Sequence, residues 1–153
     1  MSVHTALANL TGRWAGYNRL HADWMDNPIQ DSVSMANVEL RVNGQFLTVE
    51  YDWEFEGKRQ EGVMIIGCDT NSNAVQMIWT DSWHMSHKFM VCDGEIADDG
   101  KINVKGHYSV PDNPDWGWRT EIVPGENAFR FVMFNVTPEG EETVAVEADY
   151  ERR

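Results

Sequence analysis

The chain has 153 residues, 42% of them hydrophobic, enough for one domain with a buried core and too apolar for disorder. Its formal net charge of −13 would repel phosphate backbones and anionic lipid, which argues against nucleic acid and membrane surfaces as partners. No apolar run approaches the ~20 residues that cross a bilayer. The N-terminus has neither a basic start nor a long apolar stretch, so a cytoplasmic location is expected, with Cys68 and Cys92 as reduced thiols.

Only "VHTALANL", residues 3–10, reads as a short helical turn, ended by Thr11 and Gly12. Turn signals such as "VNGQ", "FEGKR", "DTNSN", "ADDGK" and "VPGEN" then recur, with runs of strand-forming residues between them. The predicted strands cover 13–20, 32–41, 46–55, 60–69, 75–85, 87–95, 101–109, 117–123, 128–136 and 142–152. The clearest is 46–55, where Leu47, Val49, Tyr51, Trp53 and Phe55 share one face and Thr48, Glu50, Asp52 and Glu54 the other. Short connections predict antiparallel neighbours, and a sheet of about ten strands tends to close on itself to remove its edges. The expected fold is all-β: residues 1–153 as a single antiparallel barrel with a short N-terminal helical turn.

The segment 75–85 carries a conflict. Val75, Met77, Trp79, Trp83 and Met85 alternate onto one face, and Asp81 falls among them. An ionised carboxylate in an apolar interior is costly unless paired and hydrogen-bonded. Asp81 can pair with a cation, take up a proton, or escape burial where the strand kinks. Arg119, His84, His87 and His107 are the cations near enough in pattern. Three readings follow: Asp81 with Ser82 as a bulge whose carboxylate caps backbone amides, Asp81 as a polar anchor in a pocket, or Asp81 as a general acid or base.

His84 and His87 flank a turn but, three residues apart on a strand, face opposite ways, and no third histidine stands at a ligand-like spacing. No metal site is expected. His84 shares its parity with Thr80 and Ser82, which predicts an exposed ring. In "SVPDNPDWGWRTE" the prolines and Asp-rich turns project Trp116 and Trp118 as an aromatic lip, or Trp118 enters the core. Arg119 and Glu121 share the opposite face, and parity does not decide which set points inward. No nucleophile elbow, phosphate loop or dinucleotide glycine signature is present.

Gly12-Arg13-Trp14-Ala15-Gly16 is a GxWxG pattern, and the chain closes on Tyr150-Glu151-Arg152. This pair resembles the calycin superfamily of lipocalins, fatty-acid-binding proteins and haem-binding nitrobindins. The resemblance implies that Trp14 plugs the barrel base, with Arg152 as a cation–π partner. Nitrobindins hold haem through a histidine near the C-terminus; here the last histidine is His107, so no haem or other cofactor is expected. The ordered set also includes Asn43-Gly44, Gly67-Cys68-Asp69, Trp79-Thr80-Asp81-Ser82 and the turn Pro138–Glu142. It is similar to an uncharacterised bacterial family of lipocalin-like domains of unknown function, with cysteine at 68 where that family usually has tyrosine.

A barrel of this size is wide enough to hold a small ligand. The expected lining is Tyr51, Trp53, Phe55, Trp79 and Trp83, with Tyr108, Phe129, Phe131 and Met133 completing it. The expected function is therefore binding of a small apolar or aromatic molecule, oriented by Asp81, with Arg119 or a histidine as second polar contact. The alternatives are an enzyme using Asp81 and a histidine for isomerisation, cyclisation or hydration, and a structural barrel with a filled core. The sequence sets no oligomeric state; a homodimer is one arrangement compatible with it.

Overall fold

In the computed structural model of the protein, residues 4–153 are described. Val3, at the start of the predicted helical turn, lies outside them. A short helix α1 (Thr5–Ala8) is followed by ten strands. These are β1 (Gly12–His21), β2 (Ile29–Arg41), β3 (Phe46–Phe55), β4 (Lys58–Cys68) and β5 (Ala74–Asp81) in the first half. The second half adds β6 (Met90–Ile96), β7 (Ile102–Tyr108), β8 (Trp116–Val123), β9 (Ala128–Val136) and β10 (Glu142–Arg152). Each strand pairs antiparallel with its neighbours in sequence, and β1 pairs with β10 to close the barrel. Closure gives every strand a partner on both sides, as the short connections predict.

Period-two patterning sets which side chains face in. In β3, Leu47, Val49, Tyr51 and Trp53 are buried and Glu50 and Glu54 are exposed, as the alternation requires. In β10 the register slips between Val144 and Val146, a bulge at Ala145 that keeps Val146, Ala148 and Tyr150 on the inner face.

The base of the barrel is fastened shut. Leu7 and Leu10 bring the α1 segment against Trp14, which is fully buried and whose indole N–H donates to the Leu10 carbonyl at 2.8 Å. The Arg152 guanidinium carbon lies 4.2 Å from the Trp14 ring centre, the cation–π contact that the GxW resemblance implies. Its three nitrogens donate to the carbonyls of Asn9, Thr11 and Glu126. Phe129 meets Trp14 edge-on at 4.8 Å and continues the stack onto Tyr150.

The largest departure from the predicted elements is at the opposite end, the mouth. The strand expected over 75–85 ends at Asp81, and the next begins at Met90 rather than at 87. Residues 82–89 form a loop over the mouth. Trp83 and Met85 therefore leave the alternation, and His84 turns inward, where an exposed ring was expected. The cause is Asp81 itself, whose side chain captures the next backbone amides and turns the chain.

Candidate functional site

Asp81 is 2% exposed. Its Oδ1 accepts from the backbone N–H of Trp83 at 2.9 Å and of His84 at 3.1 Å. Its Oδ2 accepts from the Tyr51 hydroxyl at 2.8 Å and the Trp53 indole N–H at 3.1 Å. Tyr51 accepts in turn from the Trp79 indole N–H at 3.0 Å. Room for this crossing comes from Gly62, paired with both Tyr51 and Asp81: a Cβ there would lie 2.1 Å from the Tyr51 ring. Of the three readings of Asp81, the amide cap is the one its geometry realises.

His84 is the basic side chain beside it. Its Nδ1 lies 3.2 Å from Asp81 Oδ1, outside hydrogen-bond geometry. Four indoles surround the ring, those of Trp53, Trp79, Trp83 and Trp118, with centres 4.7–5.7 Å away. Burial pushes the Asp81 carboxyl up, but His84, the Trp83 amide and the Tyr51 hydroxyl outweigh it and hold the group below its ordinary value. Burial, and then the Asp81 charge, push the Tyr51 hydroxyl well above the usual tyrosine range, so it stays a donor. Asp81 is thus an ionised acceptor with four donors around its two oxygens, which occupies its acceptor capacity.

The Trp-x-Asp-Ser step proves to be a loop anchor. The Thr80 hydroxyl donates to the Lys88 carbonyl at 2.6 Å, gathering the far end of the loop. Ser82 exchanges backbone and side-chain hydrogen bonds with Glu61 and donates its hydroxyl to Gln60 at 2.8 Å, tying the near end to β4. Trp83 then lies over the mouth against Trp53 and Phe55, with the exposed Trp24 stacked on it at 6.1 Å.

Open space lies beside this loop. Pairing of β6 with β7 covers only Asp93–Ile96 and Ile102–Lys105. Towards the mouth, Met90–Cys92 and Gly106–Tyr108 form no ladder pairs with each other, and the buried side chains of Met90 and Cys92 fill the interval. A cleft of about 700 Å³ occupies the region. Trp79, Trp83 and Trp118 contribute aromatic surface to it; His84, His87 and Lys88 line it from the loop, and His107, Tyr108 and Ser109 from β7 and beyond. Met90 packs onto Gly106 beyond the end of the ladder: a Cβ on Gly106 would meet its Cγ and Sδ at 2.5 Å.

Trp118 stacks on Trp79 with ring centres 5.2 Å apart, and its indole N–H is buried without a partner. Three further inward side chains share that condition: both amide atoms of Asn18, His84 Nδ1 and the Thr120 hydroxyl. Buried donors of this kind are rare, because each has lost its water without replacement.

The sequence-predicted residues therefore divide. Tyr51, Trp53, Trp79 and Asp81 form one network, with Phe131 packed on Tyr51 at 5.1 Å. Trp83 and Tyr108 stand half-buried at the mouth, where Tyr108 donates to Asn135 at 2.5 Å. Arg119 is not brought to them. It lies on the outer wall, paired with Glu121 and Glu142 at 2.7 and 2.6 Å and set over the Phe134 ring, while Trp118, Thr120 and Ile122 face inward. Of the four basic side chains weighed for Asp81, the one that meets it is His84. Sequence reasoning did not single out Asn18 or Trp24; Asn18, a polar residue on the inward face of β1 between Trp14 and Leu20, carried the same signal as Asp81, whereas Trp24 breaks no local pattern. Among the described residues, no group of three or more His, Cys, Asp and Glu side chains is arranged to hold a metal ion, and no helix is long and apolar enough to cross a membrane. Both cysteines are free; Cys92 is buried beside Gly106, and burial pushes its thiol up to about 12.

Fold and site together define a closed ten-strand antiparallel barrel, sealed at its base and capped at its mouth by an Asp-anchored aromatic loop. Across residues 1–152 the chain matches the model of DUF1579, described as a protein of unknown function, and it belongs to that family. The crystal structure of Rv2717c from M. tuberculosis is similar at a TM-score of 0.71, with 12% identity and 99% of both chains covered, a likeness of fold alone. A DUF3598-family protein of unknown function from Nostoc punctiforme matches at a TM-score of 0.41 and 9% identity, over 96% of this chain and 48% of that one. No curated protein sequence matches the chain.

Proposed function

We propose that the protein binds a small, partly apolar or aromatic molecule in the mouth cleft between the end of β7 and the 82–89 loop. The observation that carries this reading is the Trp118 indole N–H, a buried donor without a partner in the wall of an aromatic cleft. A ligand acceptor would satisfy it, and a cleft of about 700 Å³ lies within the ~300–1,000 Å³ of small-molecule sites. Trp79, Trp83 and Tyr108 contact the ligand directly in this reading. Asp81, Tyr51 and Trp53 hold the loop from behind, and Arg119 and Phe131 take no part. The N–H is closed to solvent, so the ligand displaces a neighbour to reach it. Met90, an unbranched and easily rearranged side chain over Gly106, is placed to give way. The calycin likeness fits the same picture, with Trp14 and Arg152 sealing the end away from the cleft.

Native mass spectrometry of protein purified gently from its own cells is expected to show a retained small molecule. Trp118→Phe keeps the stacked ring and removes the donor; it should hold that molecule about tenfold more weakly while unfolding within a few degrees of the parent. A protein that emerges unliganded, with tryptophan emission unmoved by aromatic probes at millimolar concentration, would overturn the reading.

A further inference from the structure

The mouth cleft differs in charge from the rest of the molecule. The chain has 25 Asp and Glu against 12 Lys and Arg. Four other surface hollows of comparable size each include at least two carboxylates, such as Asp52 and Glu61 in one and Asp69 and Asp93 in another. The mouth cleft has none on its walls, yet three of the five histidines, His84, His87 and His107, line it together with Lys88. Asp81 lies behind the wall, with both oxygens engaged. Asp112 and Asp115 share the 109–115 loop with Ser109 but do not reach the cleft wall.

From this distribution we infer that the molecule taken up by the cleft is an organic anion, an aromatic ring system bearing a carboxylate. The inference rests on the cleft being the binding site. A cationic ligand would find no carboxylate to pair with there. A carboxylate would meet the Lys88 ammonium, histidine N–H groups and the Trp118 indole N–H, and a hydrogen bond with an ionised partner is about twice as strong as a neutral one. Indole faces beside these donors suit a planar ring. On a surface that otherwise repels anions, an acid-free hollow is also where an anion pays least in repulsion to approach.

The experiment compares 1-naphthoate with 1-naphthamide, probes of one ring system that differ in charge. Each is titrated by calorimetry into the full chain and into a Lys88→Gln/His87→Gln variant whose thermal unfolding matches the parent's. Naphthoate is expected to bind about tenfold more tightly than the amide, an advantage that shrinks to about threefold or less in the variant. Equal affinities, or tighter binding of the amide, would overturn the anion assignment and leave the cleft standing as a binding site. Failure of both probes to bind folded protein would overturn the reading of the cleft, and this inference with it.

Discussion

The two ends of the barrel use the same materials, tryptophan and a buried polar partner, to opposite effect. At the base, Trp14 has its N–H accepted, its face covered by Arg152, and the arginine's nitrogens accepted by three carbonyls. At the mouth, Trp53 and Trp79 are equally well satisfied, but Trp118 is not, and the β6–β7 ladder beside it is incomplete. Complete pairing yields a plug with nothing left to bind. Incomplete pairing beside a firmly anchored loop leaves the Trp118 donor unused, the capacity on which the proposed binding rests. The lesson is where to look: function is expected at the end where the accounting of donors does not close.

Breaking the mouth anchor should have the largest effect. Asp81→Ala strands the Tyr51 and Trp53 donors and two backbone amides, and is expected to cost about 3–5 kcal/mol in chemical denaturation. The same residue predicts an acid dependence. Its folded carboxyl titrates below the unfolded value, so the stability it contributes is complete above pH ~4 and is lost as pH falls through the folded value. The gap between parent and Asp81→Ala should therefore narrow in denaturation series run below pH ~4. A constant gap would show that the carboxylate is not held ionised.

An intermediate effect belongs to the base. Arg152→Met keeps an apolar stem over Trp14 but loses the cation and the carbonyl contacts, and should cost about 1–2 kcal/mol. Because the base holds no proposed ligand contact, probe affinity at the mouth should be unchanged; a matching loss of affinity would show that the two ends are not independent. The smallest effect is expected on the outer wall. Arg119→Ala removes partly exposed ion pairs with Glu121 and Glu142 and should cost about 1 kcal/mol, with no change in binding. A larger loss of binding would return Arg119 to the site.

Much of the fold was legible because strands announce themselves by period two. Residues 46–55 could be assigned face by face, and the GxWxG start and Tyr-x-Arg close led to the base contact between Trp14 and Arg152. Asp81 was legible as an anomaly, since a carboxylate on an apolar face must be explained. Its effect on the chain was not. The alternation through Trp83 and Met85 continues on paper, and only the capture of the Trp83 and His84 amides ends the strand at 81. The facing of Arg119 was undecidable for a related reason: Trp118-Thr120-Ile122 and Arg119-Glu121 alternate equally well, and Glu142, on a strand more than twenty residues away, settles the choice.

What the sequence by itself determined is the antiparallel strand order, most strand faces and the presence of one carboxylate needing partners. These depend on neighbours along the chain, where alternation and turn chemistry act. What only the tertiary structure decided is the partner of Asp81, the early end of the β6–β7 ladder, and the gathering of histidines and indoles at one rim. Those depend on distances across the barrel, set by closure and register, which no local pattern encodes.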